Sequence, residues 1–458
     1  MSNSNSKLTS AELGAGLSLA AVYVFRMLGL FMVIPVIAIA ALEYPDYSPL
    51  LVGLAIGGYG LTQAVLQIPM GILSDRWGRK PVIYLGLSMF VLGSMVAAFA
   101  ESMTILTLGR VLQGAGAIAG AVMALASDVT RESQRTTIMA IIGISIGFSF
   151  YLALLIGPMI AATFGMQGIF MITVVCALIC FPLVKFGVPS NTISAPIGDA
   201  LPQKELLKPL LSHPHLWRLN TLVLILHLLI TSFFVQMPVL LQDVGEPLAA
   251  HYQVYGIVLL VSILLLVALI RMATALTMGN MFNIALLLMA VGFVALTQIP
   301  NYWLIVFAGI SFFAGFNFLE AKMPAMVSSI APAGQKGSAM GIYASFQFFG
   351  AFLGGLLAGI MNTYFDMKTS FIACLFMIFL GSMLARGLAN VEKVRRITLE
   401  MPEECLGSQI VDDVLTALME MDGVKDVSAD IEARTFYLKV DAKRFDRKSA
   451  MQVLNTYS

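Results

Sequence analysis

The chain has 458 residues, of which 59% are hydrophobic and 12% charged, against about 45–50% and about 25% in an ordinary soluble domain. Too few charges remain to cover a fold of this length toward water, so the apolar excess faces lipid. A net charge of +1 and four cysteines, with Cys176, Cys180 and Cys374 inside apolar runs and Cys405 alone, set aside a nucleic-acid binder, a disulfide scaffold and a paired metal knuckle.

A hydrocarbon core of about 30 Å takes about 20 apolar residues as helix. Windows of that size predict twelve spans, near 15–42, 50–72, 82–100, 104–127, 137–162, 167–187, 219–242, 253–273, 281–299, 303–329, 337–361 and 369–390. The opening residues MSNSNSKLTSAEL lack the charged region, short apolar core and cleavage site of a signal peptide. Thr9 with Glu12 predicts a capping box that opens the first helix. Cations occupy alternate loops: Arg76, Arg79 and Lys80, then Arg131 and Arg135, Lys204 and Lys208, Arg271, Lys336, and Lys393, Arg395 and Arg396 after the last span. The other loops carry Glu43, Asp46, Glu101, Asp243, Glu246 and Asp366, with Lys368 as their one clear cation. By the positive-inside rule both termini lie in the cytoplasm, and an odd span count breaks the alternation.

A proline-rich break from Val188 to Trp217 divides the spans six and six. The halves echo each other: Ser127-Asp128 through Gln134-Arg135 to Met139 matches Ser328-Ser329 through Gln335-Lys336 to Met340, at an offset of 201 residues (Ser127 to Ser328). Parallel repeats of this kind build transporters. The expected organisation is a six-helix bundle over 1–187, a cytoplasmic linker over 188–217, a second bundle over 218–392 and a soluble domain over 393–458. In the last part Ile397, Leu399 and Met401 alternate as in a strand, Ile410, Val414, Leu415 and Leu418 take helical spacing, and Val427, Ala429 and Ile431, then Phe436, Leu438 and Val440, alternate again. This order predicts a small α+β ferredoxin-like domain. Its loop Met401 to Cys405 holds one cysteine, so a docking or regulatory surface for a ligand or partner is favoured over a metal site.

The loop after the second span reads Gly71-Ile-Leu-Ser-Asp75-Arg76-Trp-Gly78-Arg79-Lys80-Pro81. The fourth span supplies Arg110, Gln113, Gly114 and Gly116, and the fifth Ala153, Gly157, Pro158 and Ala161. These three stretches resemble, in turn, the signature loop, second motif and antiporter-associated motif of the major facilitator superfamily. That resemblance implies an all-α fold of two six-helix bundles and transport by alternating access. It implies that Asp75 faces the positive N-terminus of the eleventh helix, near Gly337, and that Arg79 pairs with Asp128. Gly71 and Gly78 allow close approach and a sharp turn, and Lys80 serves either the latch or membrane anchoring. Such a latch closes the cytoplasmic side and favours the outward-open state.

Ionisable groups inside spans are expensive and mark functional sites. Arg26, Arg110, His227, Glu320 and Lys322 qualify, and Glu320 is the sole carboxylate well inside an apolar span. Arg26, Arg110, Gln113 and Glu320 are therefore the candidates for the proton-coupling or substrate cavity; His227 reads first as a packing histidine, and a permanent salt bridge competes with proton exchange for Glu320. Gly350, Gly354, Gly355 and Gly359 predict close packing of the eleventh span. No nucleotide-binding GxxxxGK[ST] loop is present. The expected function is proton-coupled export of a small molecule across the cell inner membrane, with no cofactor beyond the proton gradient; the expected partners are substrate, lipid and a regulatory ligand or partner at the C-terminal domain, with no nucleic acid. Nutrient uptake, coupled or facilitative, and a non-transporting sensor are the rival readings.

Overall fold

The computed structural model describes residues 8–189, 204–332, 335–388, 395–402, 408–430, 434–441 and 444–457. Among the described residues eleven helices are long and apolar enough to cross a membrane. One of them, Glu132–Gly187, runs 56 residues and breaks at Gly165 (φ 62°, ψ −165°). At 1.5 Å per residue an unbroken helix would reach about 84 Å, far beyond a bilayer, so the break makes the fifth and sixth spans of twelve. The others are Ser10–Phe31, Pro49–Trp77, Arg79–Ala98, Met103–Ala115 continued by Ala119–Asp128, then Pro214–Asp243, His251–Met272, Met278–Leu296, Tyr302–Ile330, Lys336–Tyr364 and Met367–Arg386. Several boundaries move outward from the apolar runs, and caps explain two of them. Thr9 and Glu12 cap each other's backbone, so the first helix starts at Ser10. His213 accepts from the Leu216 amide and Pro214 fills the first turn, so the seventh starts at Pro214. Of the linker, a helix Lys204–Ser212 is seen, while Pro196 and Pro202 lie outside the described residues.

Each half packs its own core. Leu87, Phe90, Leu125, Ile138 and Cys180 are buried in the first. The second is dominated by aromatics, with Phe233 stacked on Phe312 at 4.4 Å between ring centres. Leu92, Ile144, Phe148, Leu260, Leu264 and Phe376 stay exposed, the outer surface that lipid covers.

The glycines of the eleventh span work on two faces. A Cβ at Gly350 or Gly354 would run into the backbone of Leu224 or Leu228 of the seventh span, within its own half. A Cβ at Gly355 would run into Gly53, and one at Gly359 into Pro49 and Leu50, on the second span of the other half. Gly57 and Gly60 answer with backbone contacts to Phe352 and Phe348. The fifth and eighth spans also meet, Leu155 against Gly256. The halves are thus sealed toward the end remote from the signature loop.

After the last span come β1 Arg395–Glu400, a helix Ser408–Met419, β2 Val424–Asp430, β3 Thr435–Val440 and a helix Arg447–Thr456. The sheet is antiparallel in the order β1-β3-β2. Leu399, Phe436, Leu438 and Val440 face the two helices through Val411, Val414, Leu418, Ala450 and Leu454. Glu403, Glu404 and Cys405 lie outside the described residues.

Candidate transport site and conformational latch

The signature loop turns at Gly78, whose φ of +91° lies in the left-handed region that favours glycine. The turn throws Arg79 back over the second span. Its Nη1 reaches Asp75 Oδ1 at 2.6 Å and Ser74 Oγ at 3.2 Å, and its Nε reaches Asp128 Oδ2 at 3.0 Å. Lys80 Nζ donates to the Val188 carbonyl at 2.7 Å, where the sixth span ends. Gly71 lies opposite Gly120 of the fourth span. Arg135 Nε donates to the carbonyls of Ser127 and Thr130 at the end of the fourth span. A cleft of about 350 Å³ opens here, lined by Ser74, Asp75, Arg79, Asp128 and Pro189. Among the described residues the ion-pair partner of Asp75 is Arg79, one turn along in its own half. The second and eleventh spans meet toward the other end, between Pro49–Gly60 and Phe348–Gly359.

Deeper in the first half two guanidinium groups are almost fully buried, each 1% exposed. The fourth span is interrupted between Ala115 and Ala119. That break leaves the Gly116 carbonyl able to accept Arg26 Nη2 at 2.8 Å, beside Gln63 Oε1 at 3.0 Å and the Tyr59 hydroxyl at 3.1 Å. Arg26 Nε and Nη1 have no hydrogen-bond partner; the group lies 5.7 Å from the Phe90 ring centre. Arg110 donates from Nε to the Ala55 carbonyl at 3.1 Å and from Nη1 to Gln113 Oε1 at 2.8 Å, and Gln113 passes a hydrogen bond to Ser94 at 2.7 Å. The Arg110 guanidinium sits 5.1 Å from the Tyr59 ring centre, so Tyr59 joins both arginines. Gln63 extends the chain to Gln67 at 2.9 Å. Among the described residues the carboxylates of these six spans, Glu12, Asp75 and Asp128, lie at the signature-loop end. Two buried cations without an internal anion are costly. Gly157 presses on the Met32 backbone, where the first helix has just ended, and Pro158 follows it within the fifth span.

The second half holds the complementary groups. Glu320 on the tenth span lies 3.8 Å from His227 on the seventh. Gln347 on the eleventh span binds both, at 2.8 Å from His227 Nε2 and 3.3 Å from Glu320 Oε1. His227 Nδ1 lies 3.1 Å from the Val223 carbonyl. A carbonyl only accepts, so Nδ1 carries the proton, and the Nε2 lone pair then receives the Gln347 amide. That describes a neutral imidazole. Glu320 Oε2 is buried with no hydrogen bond. His227 is thus part of a polar triad rather than a lone packing residue. Lys322, two residues from Glu320, makes no hydrogen bond or ion pair among the described residues. Tyr59, Gln63, Gln67 and Gln347 escape a search for charges, although a glutamine in an apolar span is the same kind of signal at lower cost. Phe348, next to Gln347, lies 6.3 Å from the Tyr59 ring centre, across the interface.

The comparisons agree with this architecture. The family model described as Major Facilitator Superfamily matches residues 19–317 and 279–404. The chain is 37% identical to "Inner membrane transport protein YajR" of Escherichia coli (strain K12), over 97% of this chain and 99% of that protein. It is 29% identical to "Multidrug resistance protein D" of the same organism over 36% of this chain and 46% of that one. Among solved structures, a bacterial homologue of the human lysosomal transporter Spinster, inward-facing and occupied, aligns with a TM-score of 0.66 at 13% identity, covering 84% of this chain and 98% of that one. A D-xylose–proton symporter aligns with a TM-score of 0.66 at 14% identity, covering 82% and 97%. The chain belongs to the major facilitator superfamily: it is a multi-pass membrane transporter and not an enzyme.

Proposed function

We propose that the protein is a proton-coupled exporter of the inner membrane, exchanging protons for a small molecule, with both termini and the signature loop in the cytoplasm. In that orientation the seal between the second and eleventh spans closes the periplasmic side, and the structure is an inward-facing state. The observation that carries the reading is the Glu320–His227–Gln347 triad. A carboxylate with one unpartnered oxygen, placed beside an imidazole, is a place to hold a proton. Proton arrival at His227 Nε2 turns that nitrogen from acceptor to donor. Gln347 must then turn its amide and present oxygen, which withdraws its hydrogen bond from Glu320. Because Phe348 follows Gln347 at the interface, the protonation state is read one residue from the seal.

The first half contributes the fixed charge. Arg26 and Arg110 bring two guanidinium groups to the interior, so a proton entering or leaving the triad changes the charge balance of the cavity between the halves. Multidrug resistance names among the relatives favour export over uptake.

The test begins with a thermal-shift screen of small molecules on purified protein, since a ligand of the folded state raises Tm. With a hit reconstituted in vesicles, an acid-outside pH gradient should drive its movement from the cytoplasmic-loop side. Glu320→Gln should abolish gradient-driven movement while retaining binding. Gradient-driven movement at the parent rate in Glu320→Gln removes Glu320 from the coupling role.

A further inference from the structure

The 201-residue repeat aligns the two signature-loop ends residue by residue; Lys336 stands against Arg135, but most of the first half's charges have no charged counterpart in the second. Against Asp75, Gly78, Arg79, Lys80 and Asp128 stand Leu276, Gly279, Asn280, Met281 and Ser329. In the first half Arg135 donates to the last carbonyls of the fourth span. The matching end of the tenth span is different: the Ile330 carbonyl accepts from Lys439 Nζ at 2.7 Å, a lysine on β3 of the C-terminal domain.

Lys439 is unusual in its surroundings. It is 8% exposed, far below what a strand lysine on a solvated sheet shows. Thr435 and Tyr437, which share its face of β3, are also buried, at 7% and 8%. The other face of the strand is occupied by the domain's own helices, so β3 is covered on both sides. Asp426 on β2 stands 4.0 Å from Lys439 Nζ and keeps the ammonium paired. A cation over the exposed carbonyls of a helix C-terminus is the favourable placement for the helix dipole.

We propose that the C-terminal domain is a clamp for the second bundle. Through Lys439 it adds, from a separate domain, a cation over the end of the tenth span, where the matching end of the fourth span takes Arg135 from its own bundle. The domain is therefore fixed to the second bundle and moves with it. It holds the corner between the tenth and eleventh spans, and so sets the position of the helix start near Gly337 that the signature loop must meet when the seal changes ends.

Hydrogen–deuterium exchange on the full-length protein tests this, with the two pseudo-equivalent helix ends as each other's control. Lys439→Met should speed exchange of the amides from 327 to 331 about fivefold, the equivalent of about 1 kcal/mol of capping, and leave 126 to 130 unchanged. Arg135→Met should do the reverse. Lys439→Arg, which keeps the charge and the reach, should restore slow exchange at 327–331. Parent-rate exchange at 327–331 in Lys439→Met, or equal acceleration at both ends, overturns the proposal.

Discussion

The two halves share a fold and divide the chemistry. The first buries Arg26 and Arg110 in its interior and gathers Asp75, Arg79, Lys80 and Asp128 at one end. The second sets Glu320 beside His227, with Gln347 between them. At positions matching the charged loop it has Leu276, Asn280 and Met281. Under the proposed function the repeat separates the latch from the switch. Separation has a physical advantage. A fixed ion pair and a titrating one in the same low-dielectric bundle would perturb each other strongly, whereas across an interface each can be set on its own.

The asymmetry predicts unequal mutational cost at equivalent positions. Arg79→Ala leaves the largely buried Asp128 without its guanidinium partner, and loss of one member of a buried pair costs about 3 kcal/mol. Asn280→Ala, its counterpart in the second half, should cost about 0.5 kcal/mol or less. Apparent Tm in detergent should therefore fall clearly for the first and barely for the second. Equal losses would show that the two loop ends are mechanically alike despite their charges, and would dissolve the comparison.

A subtler effect is expected at Asp75. In this conformation it pairs with Arg79 as a partly exposed i,i+4 contact, a kind worth only about 0.3–0.5 kcal/mol. Neutralising it leaves this state nearly untouched. In a state closed at the signature-loop end, where the family resemblance puts it against the start of the eleventh helix, it gains about 1 kcal/mol from the helix dipole. Asp75→Asn should then shift the population about fivefold toward the state described here. A reporter cysteine in the sealed segment, Phe352→Cys, should label more slowly in the Asp75→Asn background. Faster labelling would mean that the carboxylate supports the present seal and not the alternative one.

Much of this was legible in the residues, and the limits have physical causes. The spans follow from apolar runs, and the pairing of Arg79 with Asp128 from the family's signature. The first helix start follows from Thr9 and Glu12, because a capping box is a local interaction written in adjacent residues. The triad is not local. His227, Glu320 and Gln347 come from three spans, and a histidine on an apolar helix looks the same in sequence whether it meets a carboxylate or a methyl group. Gly355 and Gly359 declare close packing, yet nothing in their spacing names Gly53, Pro49 and Leu50 of the second span as what they pack against.

The smallest difference between the halves lies at the sealed end, where the fourth and tenth spans begin. The tenth is capped from within by a neutral side chain, Asn301 Oδ1 accepting from the Leu304 amide at 3.0 Å. The fourth is capped by Ser102 and also by a carboxylate from the loop between the first and second spans. Asp46 accepts from the Met103 and Thr104 amides at 2.6 and 3.0 Å and from the Thr104 hydroxyl at 2.7 Å. Those donors, the Thr104 hydroxyl foremost, hold the Asp46 carboxyl below its usual range. The sign follows: a carboxyl whose folded value is lowered contributes stability that is complete above its unfolded value, about pH 4, and is lost as pH falls through the folded one. Acidification below about pH 4 should therefore loosen the Met103–Thr104 turn and spare the turn after Asn301. Exchange at these two helix starts, compared across that range, should diverge in the parent and stay parallel in Asp46→Asn, which keeps an acceptor and removes the charge. Divergence that persists in Asp46→Asn would place the titrating group elsewhere and leave the two helix starts equivalent.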